Sequence, residues 1–322
     1  MEYQLKSLAL LIVKMLFAPV LIPTLNRFEH FKRCVESLSR CNYAEKTELF
    51  IALDYPLREN HWIGYTKIKD YINSIRGFKS VQIIERHENY GAIKNFYSSI
   101  DLLFNKFDRL IFTEDDNEFA TNFLSFVNQG LTEYELRTDI FSVSGYNSPI
   151  KMPEYYAKDI YLRKGFTAWG VGIWKKKWFE VDWSMNEFNT FVDNKKSLKE
   201  FAKVAENSVP QLLTMRKTQE KLADGIIAVH LLNHKMHSLY PLKTRVRNHG
   251  HDGSGQNCKV NEKYANQELH KNNEDAIFPP DIKPDLRLLD YIQRQYRITF
   301  SVRLKSKIPK AFRMQLKKLI NH

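Results

Sequence analysis

The chain has 322 residues, 43 % hydrophobic and 27 % charged, which supplies a sizeable core for one large domain or two small ones and excludes disordered, collagen-like and disulfide-framework classes. Its 49 Lys and Arg against 37 Asp and Glu give a net charge of +12, and an excess of this size raises the question of an anionic partner. Eight of the basic residues and no acidic one fall between Arg297 and His322, so the body is close to balanced and no nucleic-acid partner is expected, because a nucleic-acid binder spreads its basic residues over a folded face among aromatics.

From the start of the chain, the apolar stretch Leu8 to Ile22 is interrupted by Lys14 and Pro19. It is shorter than the ~20 residues of a spanning helix and lacks a small-residue cleavage site, so neither a membrane span nor a signal peptide is expected. The three cysteines, Cys34, Cys41 and Cys258, form no CxxC pair, and there is no N-x-Ser/Thr acceptor. Free thiols in a reducing, cytoplasmic location are expected.

Ala18 to Ile22 and Glu48 to Leu53 are continuous apolar runs that predict buried parallel strands, closed by Pro23 and by Asp54-Tyr55-Pro56. Between them, His30 to Arg40 places Phe31, Cys34, Val35 and Leu38 at helical spacing, which completes a βαβ unit. The alternation continues with a helix around Ile63 to Ile75, a strand at Ser80 to Glu85, a helix from Ala92 to Phe104 and a strand from Arg109 to Thr113, and then a helix from Asn122 to Tyr134. This order predicts a doubly wound α/β sheet with its ligands outside the carboxyl ends of the strands. Asn26-Arg27, Asp54, Asn89 and the triplet Glu114-Asp115-Asp116 would then converge on one crevice.

After Tyr146-Asn147-Ser148-Pro149 a less regular half begins, in which Trp169, Trp174, Trp178 and Trp183 fall within fifteen residues. Trp174 and Trp178, four apart, read as one core face of a helix. Trp169, in a turn-like segment, could stack on a sugar ring. Lys243 to Gln256 is a Gly- and His-rich loop, Pro279, Pro280 and Pro284 mark a linker, and the basic tail ends the chain. In that tail Ile308, Ala311, Phe312, Leu316, Leu319 and Ile320 fall near helical spacing among Lys310, Arg313, Lys317 and Lys318. The pattern is that of a helix lying on an anionic membrane surface, or of a solvated basic terminus.

Three adjacent carboxylates at a strand end repel one another unless a cation or solvent offsets them. Mg²⁺ or Mn²⁺ suits such a set, taking one or two carboxylates plus substrate phosphates; the alternative is a solvated loop or first-turn acids of the following helix. No GxxxxGK[ST] or GxGxxG stands in the first strand-to-helix turn, which reads Pro23-Thr24-Leu25-Asn26-Arg27, so that kind of phosphate cradle is absent. His249, His251, Asp252 and Cys258 match no zinc-ligand spacing.

Together these segments resemble a family. APVLIPTLNRFEHFKRCVESL, FIALD, RHENYGAIKN and RLIFTEDDNEFATNFLSFV resemble, in order, the first strand, loop and helix, the second strand with its aspartate, the Asn-x-Gly segment and the acidic metal motif of GT-A fold glycosyltransferases. TAWGVGIWKKKWFEVDW is similar to the Trp- and Gly-rich acceptor segment of bacterial polysaccharide glycosyltransferases (family 2-like), and HDGSGQNC to their late glycine loop. The triplet and that loop also resemble the N-acetylglucosaminyltransferase acting on mannosyl glycoproteins. The resemblance spans residues 18 to 258. It implies an α/β, GT-A (Rossmann-like) mixed sheet flanked by helices, with a nucleotide-sugar-binding half at 1–150, an irregular acceptor and catalytic half at 151–258, and a linker with basic tail at 259–322.

The resemblance further implies an inverting, metal-dependent hexosyl- or N-acetylhexosaminyltransferase that uses a nucleoside diphosphate sugar, with a UDP-sugar favoured. The acceptor would be a glycan or lipid-linked hydroxyl in surface polysaccharide biosynthesis. By motif position, Pro23, Thr24, Arg27 and Asp54 would hold the nucleotide, Asn89, Gly91 and Lys94 would lie near ribose and phosphates, and Asp116 would bind Mn²⁺ or Mg²⁺ with Asp115 and Glu114 close by. Trp169, Asp252 and Ser254 would serve the acceptor or the closing loop. An inverting enzyme needs a carboxylate base on the acceptor side. Of Asp182, Asp193, Asp224 and Asp252, Asp224 is the candidate because it starts the apolar helix Ile226 to Leu232, where a helix N-terminus favours an ionised carboxylate; a simple N-cap aspartate shows the same placement. The rival functions are a sugar-1-phosphate nucleotidyltransferase, whose early Gly-rich loop is missing, and a basic membrane-surface adaptor resting on the tail alone.

Overall fold

A computed structural model describes residues 16–253, 260–271 and 275–296. The first strand, β1 (Val20–Thr24), and the next, β2 (Glu48–Leu53), are buried almost throughout, as continuous apolar runs require when helices cover both faces of a sheet. They pair in parallel from Val20 opposite Leu49 to Thr24 opposite Leu53. Between them α1 (Phe28–Ser39) buries Phe31, Cys34, Val35 and Leu38, the stripe its spacing predicts. Then come α2 (Trp62–Ile72), β3 (Ser80–Glu85), α3 (Gly91–Phe104) and β4 (Arg109–Phe112). β3 joins β2 and β4 joins the other side of β1, all in parallel. The strand order therefore reverses between β1 and β4, the place where open α/β sheets leave a crevice at the carboxyl ends of their strands.

The chain continues through β5 (Asn117–Phe119), α4 (Phe123–Glu133), β6 (Ile140–Ser144), β7 (Ile160–Arg163), β8 (Val171–Trp174), α5 (Lys175–Phe179), α6 (Asn186–Asp193), α7 (Lys195–Ala205), α8 (Val209–Thr218), α9 (Ala223–Asn233), β9 (His237–Pro241), β10 (Val246–Asn248), α10 (Glu262–Ala265) and α11 (Leu286–Tyr296). The large sheet has the order β3-β2-β1-β4-β8-β6-β9-β7. β8 runs antiparallel to both β4 and β6, and β7 antiparallel to β9. The sheet is mixed and flanked by helices; its first four strands carry the doubly wound pattern, and the second half departs from it. β5 and β10 form a separate antiparallel ribbon.

Two large apolar clusters lie against the sheet, one around Phe31, Phe123 and Leu131, the other around Phe104, Phe112 and Trp178, and a smaller third joins Tyr161 and Tyr240 to Leu288 and Ile292. This corrects the expectation for Trp174 and Trp178. Trp174 ends β8, joins the first cluster and donates its Nε1–H to the Leu131 carbonyl at 3.1 Å. Trp178 lies in α5 and fills the second cluster. A strand-to-helix switch separates them, so a spacing of four does not put them on one face.

Residues 276–282, expected as a linker, are a strap on α4. Phe278 meets the Phe126 and Tyr134 rings at 5.1 and 6.1 Å, Tyr134 OH donates to the Pro279 carbonyl at 2.7 Å, and Arg137 donates to the carbonyls of Pro280 and Ile282 at 2.7 and 3.0 Å. α11 follows, with Leu288 and Ile292 buried and Gln293 donating to the Ala202 carbonyl of α7 at 3.1 Å. Cys34 and Cys41 are buried free thiols. Among the described residues no helix is long and apolar enough to cross a membrane. Ser254, Cys258 and the basic tail from Arg297 onward lie outside the described residues.

Candidate active site

The crevice is built from the carboxyl ends of β1, β2 and β4. At the end of β1, Thr24 donates its hydroxyl to Asp115 Oδ2 at 2.8 Å. Pro23, one residue earlier, sits inside the strand opposite Ala52. Arg27, at the entry to α1, turns its guanidinium onto the triplet, pairing with Asp115 and, through Nη1, with Asp116 Oδ2 at 2.9 Å. Asp115 and Asp116 are buried, each about 5 % exposed, so they are not a solvated loop.

The ribbon fixes Asp116 from the other side. Asn248 Nδ2 donates to Asp116 Oδ1 at 2.7 Å and to Asn117 Oδ1 at 2.9 Å, and the His249 N–H donates to the Asp116 carbonyl at 2.9 Å. A Cβ on residue 250 would stand 2.0 Å from Asp116 Oδ2; glycine alone permits that approach. Glu118, one strand residue on, is held down to about 2 by hydrogen bonds from His249 and Arg247.

Glu114 differs from its two neighbours. Its side chain keeps open surface at the crevice mouth, and its Oε2 accepts the Trp169 Nε1–H at 3.2 Å. Desolvation by the crevice walls, then the negative charges of Asp116, Asp224 and Asp115, hold its carboxyl well above the usual range, against the pull of Arg27. Asp115 is raised as well, by burial first, with Arg27 opposing. One guanidinium thus serves the three carboxylates of the triplet, and the charge of a fourth reaches Glu114.

The fourth, Asp224, is half-buried in the first turn of α9. The N-cap of that helix is Leu222, so Asp224 is not a capping aspartate. Its carboxylate accepts the Ala168 N–H instead, and burial pushes it up to about 7. Its charge reaches Glu114, so the structure brings the sequence-predicted base and the acidic triplet into one crevice.

Trp169 stands beside the triplet but is packed edge-on against Tyr146, His251 and Tyr264, with centroids at 4.8, 5.8 and 5.8 Å. Across the crevice, the Asp54 N–H donates to the Thr24 carbonyl at 3.0 Å. Asp54 Oδ1 accepts the N–H groups of Tyr55 and Tyr90 at 2.9 and 2.8 Å, and Asn89 Nδ2 donates to the Tyr55 carbonyl at 2.5 Å. Gly91 opens α3 with φ +72°, a left-handed conformation that suits glycine. Lys94 lies over the Tyr90 ring at 3.8 Å, on the same wall. Asp252 Oδ2 is 2.9 Å from His30 Nε2 of α1, which draws the loop after β10 over the crevice.

Sequence reasoning missed Asn248 and Gly250, the residues that hold Asp116 in place. The only available signal was their membership of the Gly- and His-rich loop; nothing in the sequence pairs that loop with a residue 132 positions earlier.

No protein-family model and no curated protein sequence matches the chain. Among solved structures it is similar to the mannosyltransferase PcManGT from Pyrobaculum calidifontis in complex with GDP-Man and Mn²⁺, at 11 % identity over 50 % of this chain and 45 % of that one, with a TM-score of 0.33. It is similar to GalNAc-T7 with UDP, GalNAc and Mn²⁺ at 14 % identity, over 52 % and 36 % of the two chains, with a TM-score of 0.38. S. aureus TarS matches at 10 % identity over 48 % and 28 %, with a TM-score of 0.33. The chain spans less than half the length of each of these proteins.

Proposed function

We propose that the protein is an inverting glycosyltransferase that moves a hexosyl or N-acetylhexosaminyl group from a nucleoside diphosphate sugar, UDP-linked in the first instance, to a hydroxyl of a glycan or lipid-linked acceptor in surface polysaccharide biosynthesis. The observation that carries this is Asp224: a carboxylate pushed up to about 7, in the same crevice as an acidic triplet at the reversal of the sheet. A group that titrates near neutral pH is matched to taking a proton from a hydroxyl.

The residues fit a hard divalent ion. The donors at the crevice are carboxylate oxygens; burial first, and then the neighbouring acids, raise the carboxyls of Glu114 and Asp115, and a cation among them would favour their ionised forms. Asp116 and Glu114 would hold Mn²⁺ or Mg²⁺, which when bound supplies positive charge for the diphosphate. Thr24 and Arg27 fix Asp115, and Asp54 with Asn89 shapes the β2 and α3 loops around the nucleotide. Gly91 and Lys94 face ribose and phosphates, and Pro23 keeps the end of β1 extended. Trp169 and Asp252 border the acceptor side. Asp224 accepts the proton of the acceptor hydroxyl as its oxygen bonds to the anomeric carbon and the bond to the diphosphate breaks on the opposite face, which inverts the configuration.

Calorimetric and thermal-shift titration of nucleoside diphosphate sugars with and without Mn²⁺ tests this. One sugar nucleotide at ~100 times its dissociation constant should add about 2.7 kcal/mol of stability, and Asp116→Asn should remove the Mn²⁺ dependence while the fold survives. Binding that is as tight and as Mn²⁺-sensitive in the variant overturns the assignment of the triplet. The basic tail and a cytoplasmic location at the inner membrane face belong to the same proposal. Flotation with anionic but not neutral vesicles is the expected outcome, and equal binding to both rejects it.

A further inference from the structure

Away from the crevice, α6 and α9 meet at three side chains that ligate metals. Glu187 lies in the first turn of α6; His230 lies in the last turn of α9 and His234, four residues on, is its C-cap, a spacing that puts them on one side of the helix end. One ligand atom from each lies within 4.8 Å of the other two. His234 Nε2 is 3.0 Å from Glu187 Oε1 and His230 Nδ1 is 3.6 Å from Glu187 Oε2, while Asn233 Nδ2 donates to Glu187 Oε1 at 2.8 Å. The two imidazoles lie face to face, with centroids at 4.2 Å and a tilt of 31°.

The decisive observation is His230. It is only 2 % exposed; its Nε2 has no hydrogen-bond partner, and its Nδ1 has only the long 3.6 Å approach to Glu187 Oε2. A buried polar group left unpaired is costly, and such groups are normally satisfied. An ion between His230, His234 and Glu187 would take one of those two nitrogens as a ligand. Two imidazoles and one carboxylate are the donor set of a borderline divalent cation, and Zn²⁺ takes such sets with bonds of about 2.0–2.2 Å. Bonds of that length in a tetrahedron put the ligand atoms about 3.4 Å apart, so the widest separation in the cluster must contract by up to about 1.4 Å. The half-exposed His234 side chain can supply that movement by turning. The segment His230-Leu231-Leu232-Asn233-His234 has no Glu after its first His, so the general base of a metalloprotease is missing. A site of this composition would brace two helices and leave a fourth position to water.

We infer that Glu187, His230 and His234 form a Zn²⁺ site joining α6 to α9, separate from the metal site proposed at Asp116. At 1.5 Å per helical residue, His230 and His234 stand about 9 and 15 Å along α9 from Asp224. The site therefore depends on nothing assigned to the crevice, but it steadies the helix that carries Asp224.

The test titrates ZnCl₂ into the full-length Asp116→Asn protein, so that the crevice contributes least, and repeats the titration with His234→Gln or Glu187→Gln added. The parent should bind zinc with a rise in melting temperature, and Co²⁺ in its place should give the visible bands of a four-coordinate nitrogen and oxygen site. Excess Mg²⁺ should not displace either ion. Each added substitution should weaken the binding by more than the ~10–100-fold that loss of a supporting group costs, with an unchanged circular dichroism spectrum. Because His234 and Glu187 are not core residues, these variants keep the fold that His230→Ala would endanger. Absence of zinc binding, equal affinity in parent and variants, or displacement by Mg²⁺ would each overturn the proposal and leave the cluster an ordinary histidine–glutamate ion pair.

Discussion

At Asp224 two influences oppose each other: the first turn of a helix favours its charged form, and burial disfavours it and wins, taking the carboxyl up to about 7. Its folded value lies above the ~3.9 of an unfolded aspartate, so the native state binds more protons than the unfolded one between those values. Stability from this group is therefore present below about pH 4, falls as pH rises toward 7, and stays low above it. Asp224→Asn, which can still accept the Ala168 N–H, should melt higher than the parent at pH 8 and level with it at pH 4 by scanning calorimetry. The same variant should lose ~10²–10⁴-fold in turnover with nucleotide-sugar affinity kept, and the parent's rate should climb through pH 7. Near-normal turnover in the variant would move the base elsewhere. The sequence offered Asp224 by its place before an apolar helix, but not its environment, because Ala168 and Glu114 reach it from segments far away in the chain.

Among the elements, legibility followed burial pattern. β1, β2 and β4 are unbroken apolar runs, and α1 has a clean stripe, so each could be read from neighbouring residues alone. The ribbon β5–β10 could not: Asn-Glu-Phe and Val-Arg-Asn are too short to carry a period, and their pairing spans 129 residues at Glu118 and Arg247. Yet that ribbon sets the position of Asp116. Gly250→Ala would drive its Cβ onto Asp116 Oδ2, 2.0 Å away, and the carboxylate would have to leave. Isothermal titration should show Mn²⁺-dependent nucleotide binding weakened at least ~10-fold, a cost of about 1.4 kcal/mol, in a protein that melts as a folded domain. Unchanged Mn²⁺-dependent binding would show that Asp116 Oδ2 does not hold the ion.

On the scale of the whole molecule, the prolines near residue 280 interrupt every pattern and read as a linker, whereas their carbonyls are the acceptors that Tyr134 and Arg137 require. Phe278, about 8 % exposed, anchors this strap, and Phe278→Ala should cost about 3 kcal/mol in chemical denaturation; a loss below ~0.5 kcal/mol would mean that the strap rides on the surface. The strand order has a different consequence, for biosynthesis. β4 emerges from the ribosome before its partner β8, and β8 lies between β4 and β6, so the sheet cannot close in the order in which it is translated. Phe112 to Trp174 takes about 3–12 s to make at ~5–20 residues per second. Through that interval the nascent chain carries an open edge, Arg-Leu-Ile-Phe, apolar after its first residue, which in the finished protein is wholly buried and which, unpaired, templates aggregation. Nascent chains arrested before β8 should retain a bound chaperone that chains arrested beyond β9 release, and equal retention by both would show that this edge needs no shield while the rest of the sheet is made.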